Sequence, residues 1–179
     1  KHAIKTIINS LDTRDRLSII SYSETANVDF DLSSMDRMGK IGALAALDSI
    51  VESGRTNMWD GITKALTIMQ KAKTKCRISK IFVLTDGHAN VNPPRGEQVT
   101  MKRYIDTYGL PCPVSTYGFG YELNYDMLND ISVIGQGENA FIPDSGMIGT
   151  IFENALANFL TTMATNVTLK IETDTPIQV

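Results

Sequence analysis

The stretch IFVLTDGHAN, residues 81–90, indicates the fold class of this chain of 179 residues. Its four apolar residues, IFVL, run without interruption into a Thr-Asp-Gly turn. A short apolar run bounded by turn residues is typical of a strand buried on both faces, as in parallel sheets. Asp86 then stands at the carboxyl end of that strand, the edge of an open α/β sheet at which ligands bind. We therefore take Asp86 as a candidate for catalysis or metal binding.

Strands and helices alternate on both sides of this stretch. Apolar residues recur at helical spacing in six segments, which we predict as helices: residues 3–11, 38–51, 57–73, 97–107, 126–133 and 144–165. Further strands are predicted at residues 17–22, 27–31, 113–120, 139–142 and 167–173. This order predicts a three-layer α/β fold with a doubly wound, mostly parallel sheet. Residues 27–31 alternate polar and apolar, which predicts one antiparallel edge strand. We expect residues 1–166 to form this domain and residues 167–179 to be a strand or linker towards another module.

Composition excludes several classes of partner. The net charge of −3 and the lack of a basic run argue against binding to nucleic acid. Since no apolar stretch is long enough to span a bilayer, we expect no membrane insertion. Cys76 and Cys112 do not have a metal-ligand spacing, and we interpret them as free thiols, which favours an intracellular location. The chain has no Gly-rich phosphate loop, so nucleotide binding is not expected.

A second loop rich in oxygen ligands, SGRTNMWDG at residues 53–61, precedes the third predicted helix. Thr56 stands where an N-cap is expected, and its hydroxyl could simply cap that helix. Thr56 and Asp86 nevertheless fall in loops at the same predicted sheet edge. A hydroxyl and a carboxylate are oxygen ligands of the kind that Mg²⁺ or Mn²⁺ prefers. Both interpretations of Thr56, as cap and as ligand, remain open at this point.

Four segments in this order resemble the von Willebrand factor A (vWA) domain family. They are LDTRDRLSIISYS (residues 11–23), SGRTNMWDGITKAL (53–66), IFVLTDG (81–87) and STYGFGYELNYDMLNDIS (115–132). The resemblance implies a Rossmann-like fold and a metal-ion-dependent adhesion site (MIDAS), where an acidic side chain of a partner protein completes the coordination of a divalent cation. Thr56 and Asp86 match two positions of its motif. The resemblance therefore implies that these two residues bind Mg²⁺ or Mn²⁺.

The remaining motif of that site, Asp-x-Ser-x-Ser, is absent from the sequence. In the family this motif ends the first strand, which would lie centrally between residues 17–22 and 81–84. Without it, the neighbouring strands would expose unpaired backbone groups. We therefore expect a chain that lacks its first central strand and continues upstream of Lys1, and metal binding that depends on those upstream residues. The alternative is a degenerate domain that closes its sheet differently.

The resulting expectation is a protein–protein interaction module and not an enzyme. Ser53, Gly54 and Arg55, together with Gly87 and His88, would frame its partner-binding surface. One alternative is a metal-free vWA scaffold in an intracellular assembly. An alternative of another class is a metal-dependent hydrolase that uses Asp86 and His88, which would need further acidic or histidine ligands at other strand ends.

Overall fold

The computed structural model describes residues 1–51, 54–72, 77–86, 89–121, 123–162, 164 and 168. The helices are α1 (His2–Ser10), α2 (Arg37–Ser49), α3 (Met58–Lys71), α4 (Glu97–Tyr108), α5 (Tyr125–Ile134) and α6 (Ile148–Thr161), the last preceded by a 3-10 turn (Ser145–Met147). The strands are β1 (Arg16–Tyr22), β2 (Ala26–Ser34), β3 (Ile81–Thr85), β4 (Val114–Phe119) and β5 (Gln136–Ile142). Each helix and strand predicted within the described residues is present. The predicted strand at residues 167–173 lies outside the described residues except for Thr168.

The strands form two sheets. β3, β4 and β5 pair in parallel in that order, with Ile81 opposite Val114 and Thr116 opposite Asn139. β1 and β2 form an antiparallel pair with a register shift near Ile19. The mostly parallel α/β architecture with one antiparallel strand is therefore confirmed, but the described strands do not join into one continuous sheet.

Helices cover both faces, which confirms the three-layer arrangement. On one face the core is built by residues of α1, α2 and α6, including Ile8, Leu47 and Phe152, all fully buried. On the other face α3, α4 and α5 supply a second core, with Leu66 and Ile131 at its centre. None of the described helices is both long and apolar enough to cross a membrane.

A largely apolar cavity of about 440 Å³ separates β1 from β3. Residues of both strands line it, including Leu17, Ile19, Phe82 and Leu84, and residues of α3 and α6 such as Ala65, Leu156 and Phe159 close it above and below. This is the position expected for the first central strand, and none of the described residues forms a strand there. The prediction that β3 is buried on both faces is wrong in part. Phe82 and Leu84 are only half-buried because the cavity lies beside them, whereas alternate residues of the strand are buried.

Side chains bridge this cavity at its two ends. The hydroxyl of Tyr22 donates a hydrogen bond to the carbonyl oxygen of Leu84 at 2.6 Å. At the opposite end the guanidinium of Arg77 donates to the carbonyl oxygen of Arg14 at 2.8 Å. The β1–β2 hairpin is thus held beside β3 by side-chain hydrogen bonds where a sheet would ordinarily have a backbone ladder.

Candidate functional site

Asp86 directly follows β3, at the carboxyl edge of the sheet, and its side chain is exposed. Tyr22 ends β1, and its hydroxyl donates to the carbonyl oxygen of Leu84, two residues before Asp86. Burial, and to a smaller extent the nearby carboxylate of Asp86, raises the pKa of Tyr22 to about 12, although a hydrogen bond with Thr85 opposes the shift. Tyr22 is therefore protonated at neutral pH, as its hydrogen bond to the carbonyl oxygen of Leu84 requires.

Thr56 does not cap α3. The N-cap is Asn57, whose side-chain oxygen accepts a hydrogen bond from the backbone N–H of Asp60 at 3.2 Å. Asn is at least as favourable as Thr at this position, so the adjacent residue takes the cap and Thr56 lies one residue before it. The interpretation of Thr56 as the helix cap is therefore wrong. Within the described residues, no protein group is hydrogen-bonded to the Thr56 hydroxyl.

The backbone of Thr56 is bound to the loop that follows β3. Its N–H donates to the side-chain oxygen of Asn90 at 2.8 Å. Its carbonyl oxygen accepts from the backbone N–H of Asn90 at 3.1 Å and from that of Val91 at 3.3 Å. Because Asp86 begins the same loop, these hydrogen bonds bring Thr56 and Asp86 to one edge of the sheet.

The start of α3 is also fastened to the β1–β2 turn. The backbone N–H of Asn57 donates to the carbonyl oxygen of Ser23 at 2.7 Å. The carboxylate of Asp60 accepts from the backbone N–H of Ala26 at 2.6 Å, and Lys64 donates to the carbonyl oxygen of Ala26 at 2.8 Å. Asp60 therefore has two roles. Its negative charge in the first turn of α3 favours the helix dipole, and its carboxylate accepts a hydrogen bond from a backbone N–H of the hairpin.

Two of the residues predicted to frame the partner-binding surface lie in the described part of the chain. Gly54 is exposed with a positive φ of 26°, a backbone conformation that favours glycine. Arg55 is exposed and lies 3.7 Å from the carboxylate of Glu24, in a solvent-exposed ion pair that contributes little stability. Ser53, Gly87 and His88 lie outside the described residues, so their part in recognition stays a prediction.

The described residues contain no group of three or more His, Cys, Asp or Glu side chains placed to hold a metal ion. Such a group is what the hydrolase interpretation requires at the strand ends. Thr56 and Asp86 supply oxygen donors of the type that Mg²⁺ accepts, and in this respect the residues fit a cation. These two residues alone do not complete the site, however, because Mg²⁺ is coordinated octahedrally by about six oxygens.

Sequence reasoning missed three residues that shape this edge: Tyr22, Asn57 and Asn90. Asn57 carries a usable signal, because a capping residue followed three positions later by a carboxylate is a helix-start pattern. Asn90 contacts Thr56 across 34 positions, and Tyr22 contacts Leu84 across 62. Contacts at such separations have no local sequence pattern, so periodicity could not have found them.

Residues 1–154 match the family model described as von Willebrand factor type A domain. The chain belongs to this family. Among curated relatives, the vWA chain is 27% identical to human inter-alpha-trypsin inhibitor heavy chain H3 over 143 residues, which are 76% of this chain and 16% of that protein. It is 26% identical to the uncharacterized protein YfbK of Escherichia coli over 174 residues, which are 95% of this chain and 29% of that protein. The vWA chain thus spans less than a third of the length of these relatives.

Among solved structures, a von Willebrand factor type A protein from Catenulispora acidiphila has the same fold, with a TM-score of 0.77 and 21% identity, covering 87% of this chain and 36% of that one. Proximal thread matrix protein 1 from the mussel byssus, solved with a zinc-occupied MIDAS motif, gives a TM-score of 0.67 at 14% identity, covering 87% and 40%. vWA domains generally mediate protein interaction, some of them through a MIDAS, and most are not enzymes. The expectation of an interaction module is supported at this level.

Proposed function

We propose that this vWA domain binds a partner protein through a divalent cation at the carboxyl edge of its sheet. The observation that carries the proposal is the linkage of two oxygen-bearing loops at that edge. The hydroxyl of Thr56 is free of helix capping, and the hydrogen bonds between Thr56 and Asn90 draw it towards the loop that Asp86 begins. A hydroxyl and a carboxylate in this arrangement suit Mg²⁺ or Mn²⁺.

The bound cation would supply a positive charge that attracts and coordinates an acidic side chain of the partner. Thr56 would contribute its hydroxyl and Asp86 its carboxylate, directly or through water. The remaining positions would belong to water, to the partner and to protein oxygens beyond the described residues. Among the described residues proposed as ligands, Asp86 alone is charged, and it offsets one of the two positive charges of the ion.

The surface around this edge would determine which partner is accepted. Arg55 is exposed, and its guanidinium is suited to a second carboxylate on the partner. Gly54 beside it leaves the approach open because it has no side chain. Ser53, Gly87 and His88 are proposed as the rest of this surface on the basis of the sequence.

Calorimetric titration of Mg²⁺ into the full-length gene product tests the proposal. We expect Asp86→Ala to weaken binding more than about tenfold, since it removes a charged ligand, and Thr56→Val to weaken it less while preserving side-chain shape. Asp126→Ala is the matched control, because this exposed carboxylate lies in the first turn of α5. Equal affinity for wild type and Asp86→Ala would refute the role of Asp86.

A second candidate is a metal-free scaffold domain in an intracellular assembly. The observation that favours it is the lack, in the described part of the chain, of a cluster of three metal-ligating side chains. Capture of the partner protein distinguishes the cation-dependent module from the metal-free scaffold. A cation-dependent interface is lost in EDTA and in Asp86→Ala, whereas a scaffold interface is retained in both.

A further inference from the structure

Asn90 joins the loop after β3 to the loop before α3 through its side chain as well as its backbone. Its side-chain oxygen accepts from the N–H of Thr56 at 2.8 Å, while its own N–H donates to the carbonyl oxygen of Thr56 at 3.1 Å. Both polar backbone groups of Thr56 are therefore bound to one segment. Two hydrogen bonds in opposite senses between the same pair of residues fix distance and orientation together.

The next peptide is fixed independently. The N–H of Asn57 donates to the carbonyl oxygen of Ser23 at 2.7 Å, so Thr56 is held from the β3 side and from the β1 side. Thr is β-branched, and once its backbone is fixed its hydroxyl has few allowed directions. The contact from Asn90 therefore bears on where the hydroxyl of Thr56 points.

We infer that Asn90 is a positioning residue that orients the Thr56 hydroxyl for the cation. The inference rests on the proposed function. Asn90 acts through Thr56, and groups that orient metal ligands in this way commonly change metal affinity by about 10- to 100-fold when they are removed. An amide suits the task because its oxygen accepts the Thr56 N–H.

The exposure of Asn90 distinguishes its positioning role from a purely structural one. Asn90 is exposed, so water can replace its side chain at the Thr56 N–H with little loss of overall stability. Removal of the side chain is then expected to affect the orientation of Thr56 far more than the folding of the domain.

The test measures two quantities on the full-length gene product: the Kd for Mg²⁺ by calorimetry, and hydrogen–deuterium exchange of the Thr56 amide without metal. We expect Asn90→Ala to weaken Mg²⁺ binding about tenfold or more and to speed exchange of the Thr56 amide. Asn90→Asp keeps an acceptor, so exchange should stay slow and affinity should be at least that of wild type.

Asn124→Ala provides the matched control. Asn124 also accepts a backbone N–H, that of Met127 at 3.1 Å, at the start of α5. The Asn124→Ala substitution should leave the Kd for Mg²⁺ unchanged. If it weakened Mg²⁺ binding as much as Asn90→Ala does, the inference would be overturned. An unchanged Kd in Asn90→Ala, with binding lost in Asp86→Ala, would also overturn it and leave the proposed function standing. Absence of Mg²⁺ binding by the wild type would refute the proposed function and the inference with it.

Discussion

The parallel sheet and the β1–β2 hairpin are held in place by different interactions. β4 pairs with a strand on each side, and Val114, Ser115 and Thr116 are completely buried. β1 pairs with β2 on one side and faces a cavity on the other, where the hydroxyl of Tyr22 contacts β3. Backbone ladders join all three strands of the parallel sheet, whereas side-chain hydrogen bonds join the hairpin to β3. The candidate site lies where the two regions meet, so its geometry depends on individual side chains.

The largest expected effect is on the core beneath the parallel sheet. Ile131 is completely buried in α5, and Ile131→Ala should lower the free energy of unfolding by about 2–5 kcal/mol. Ile19 in β1 is 5% exposed but lines the cavity, so fewer atoms surround it. Ile19→Ala should therefore lower the free energy of unfolding by less, about 2 kcal/mol. Equilibrium unfolding in urea measures both, and an equal or larger loss for Ile19→Ala would contradict the contrast between the regions.

The second-largest effect is expected at alkaline pH, which should lower the free energy of unfolding through a residue next to the parallel sheet. Burial raises the pKa of the Cys112 thiol, just before β4, from 9.0 to about 12. The unfolded chain therefore releases this proton more readily, so the stability it contributes is complete below pH 9 and is lost as pH rises from 9 through 12. The expected slope is up to about 1.4 kcal/mol per pH unit. Urea unfolding at pH 8 and pH 10 should show this loss in wild type and a smaller one in Cys112→Ala. The same loss in both proteins would exclude Cys112 as its source.

The smallest effect concerns the bridge across the cavity. Tyr22→Phe removes the donor to the carbonyl oxygen of Leu84 and should lower the free energy of unfolding by about 1 kcal/mol. Tyr108→Phe, at a side chain that is 66% exposed, should change it by less than about 0.5 kcal/mol. If thermal unfolding shows both variants to be neutral, the side-chain bridge does not stabilise the hairpin against β3.

Local patterns were sufficient to predict the described helices and strands. The helical spacing of Ile62 and Leu66 identifies α3, and the apolar run that ends at Thr85 identifies β3. The gap between β1 and β3 was expected from the missing family motif, because a central strand leaves a defined position between its neighbours. These predictions depend on residues that are close in sequence or on a known order of strands.

The details of the site could not be predicted in this way. Thr56 and Asn57 are both capping residues, and the choice of Asn57 as cap accompanies its long-range contacts with the β1–β2 turn. The contact between Asn90 and Thr56 joins two loops that meet only after the domain has folded. Side-chain partners at such separations are set by tertiary packing and not by local sequence preference.

Anomalous diffraction from crystals of the full-length gene product grown with Mn²⁺ would locate the cation proposed to bind Thr56 and Asp86. We expect one manganese peak at the carboxyl edge, at coordination or water-bridged distance from the Asp86 carboxylate and the Thr56 hydroxyl, with a direct metal–oxygen distance of about 2 Å. The same crystals of Asp86→Ala should lose the peak. A bound Mn²⁺ ion elsewhere, with none between Thr56 and Asp86, would refute the proposed cation site.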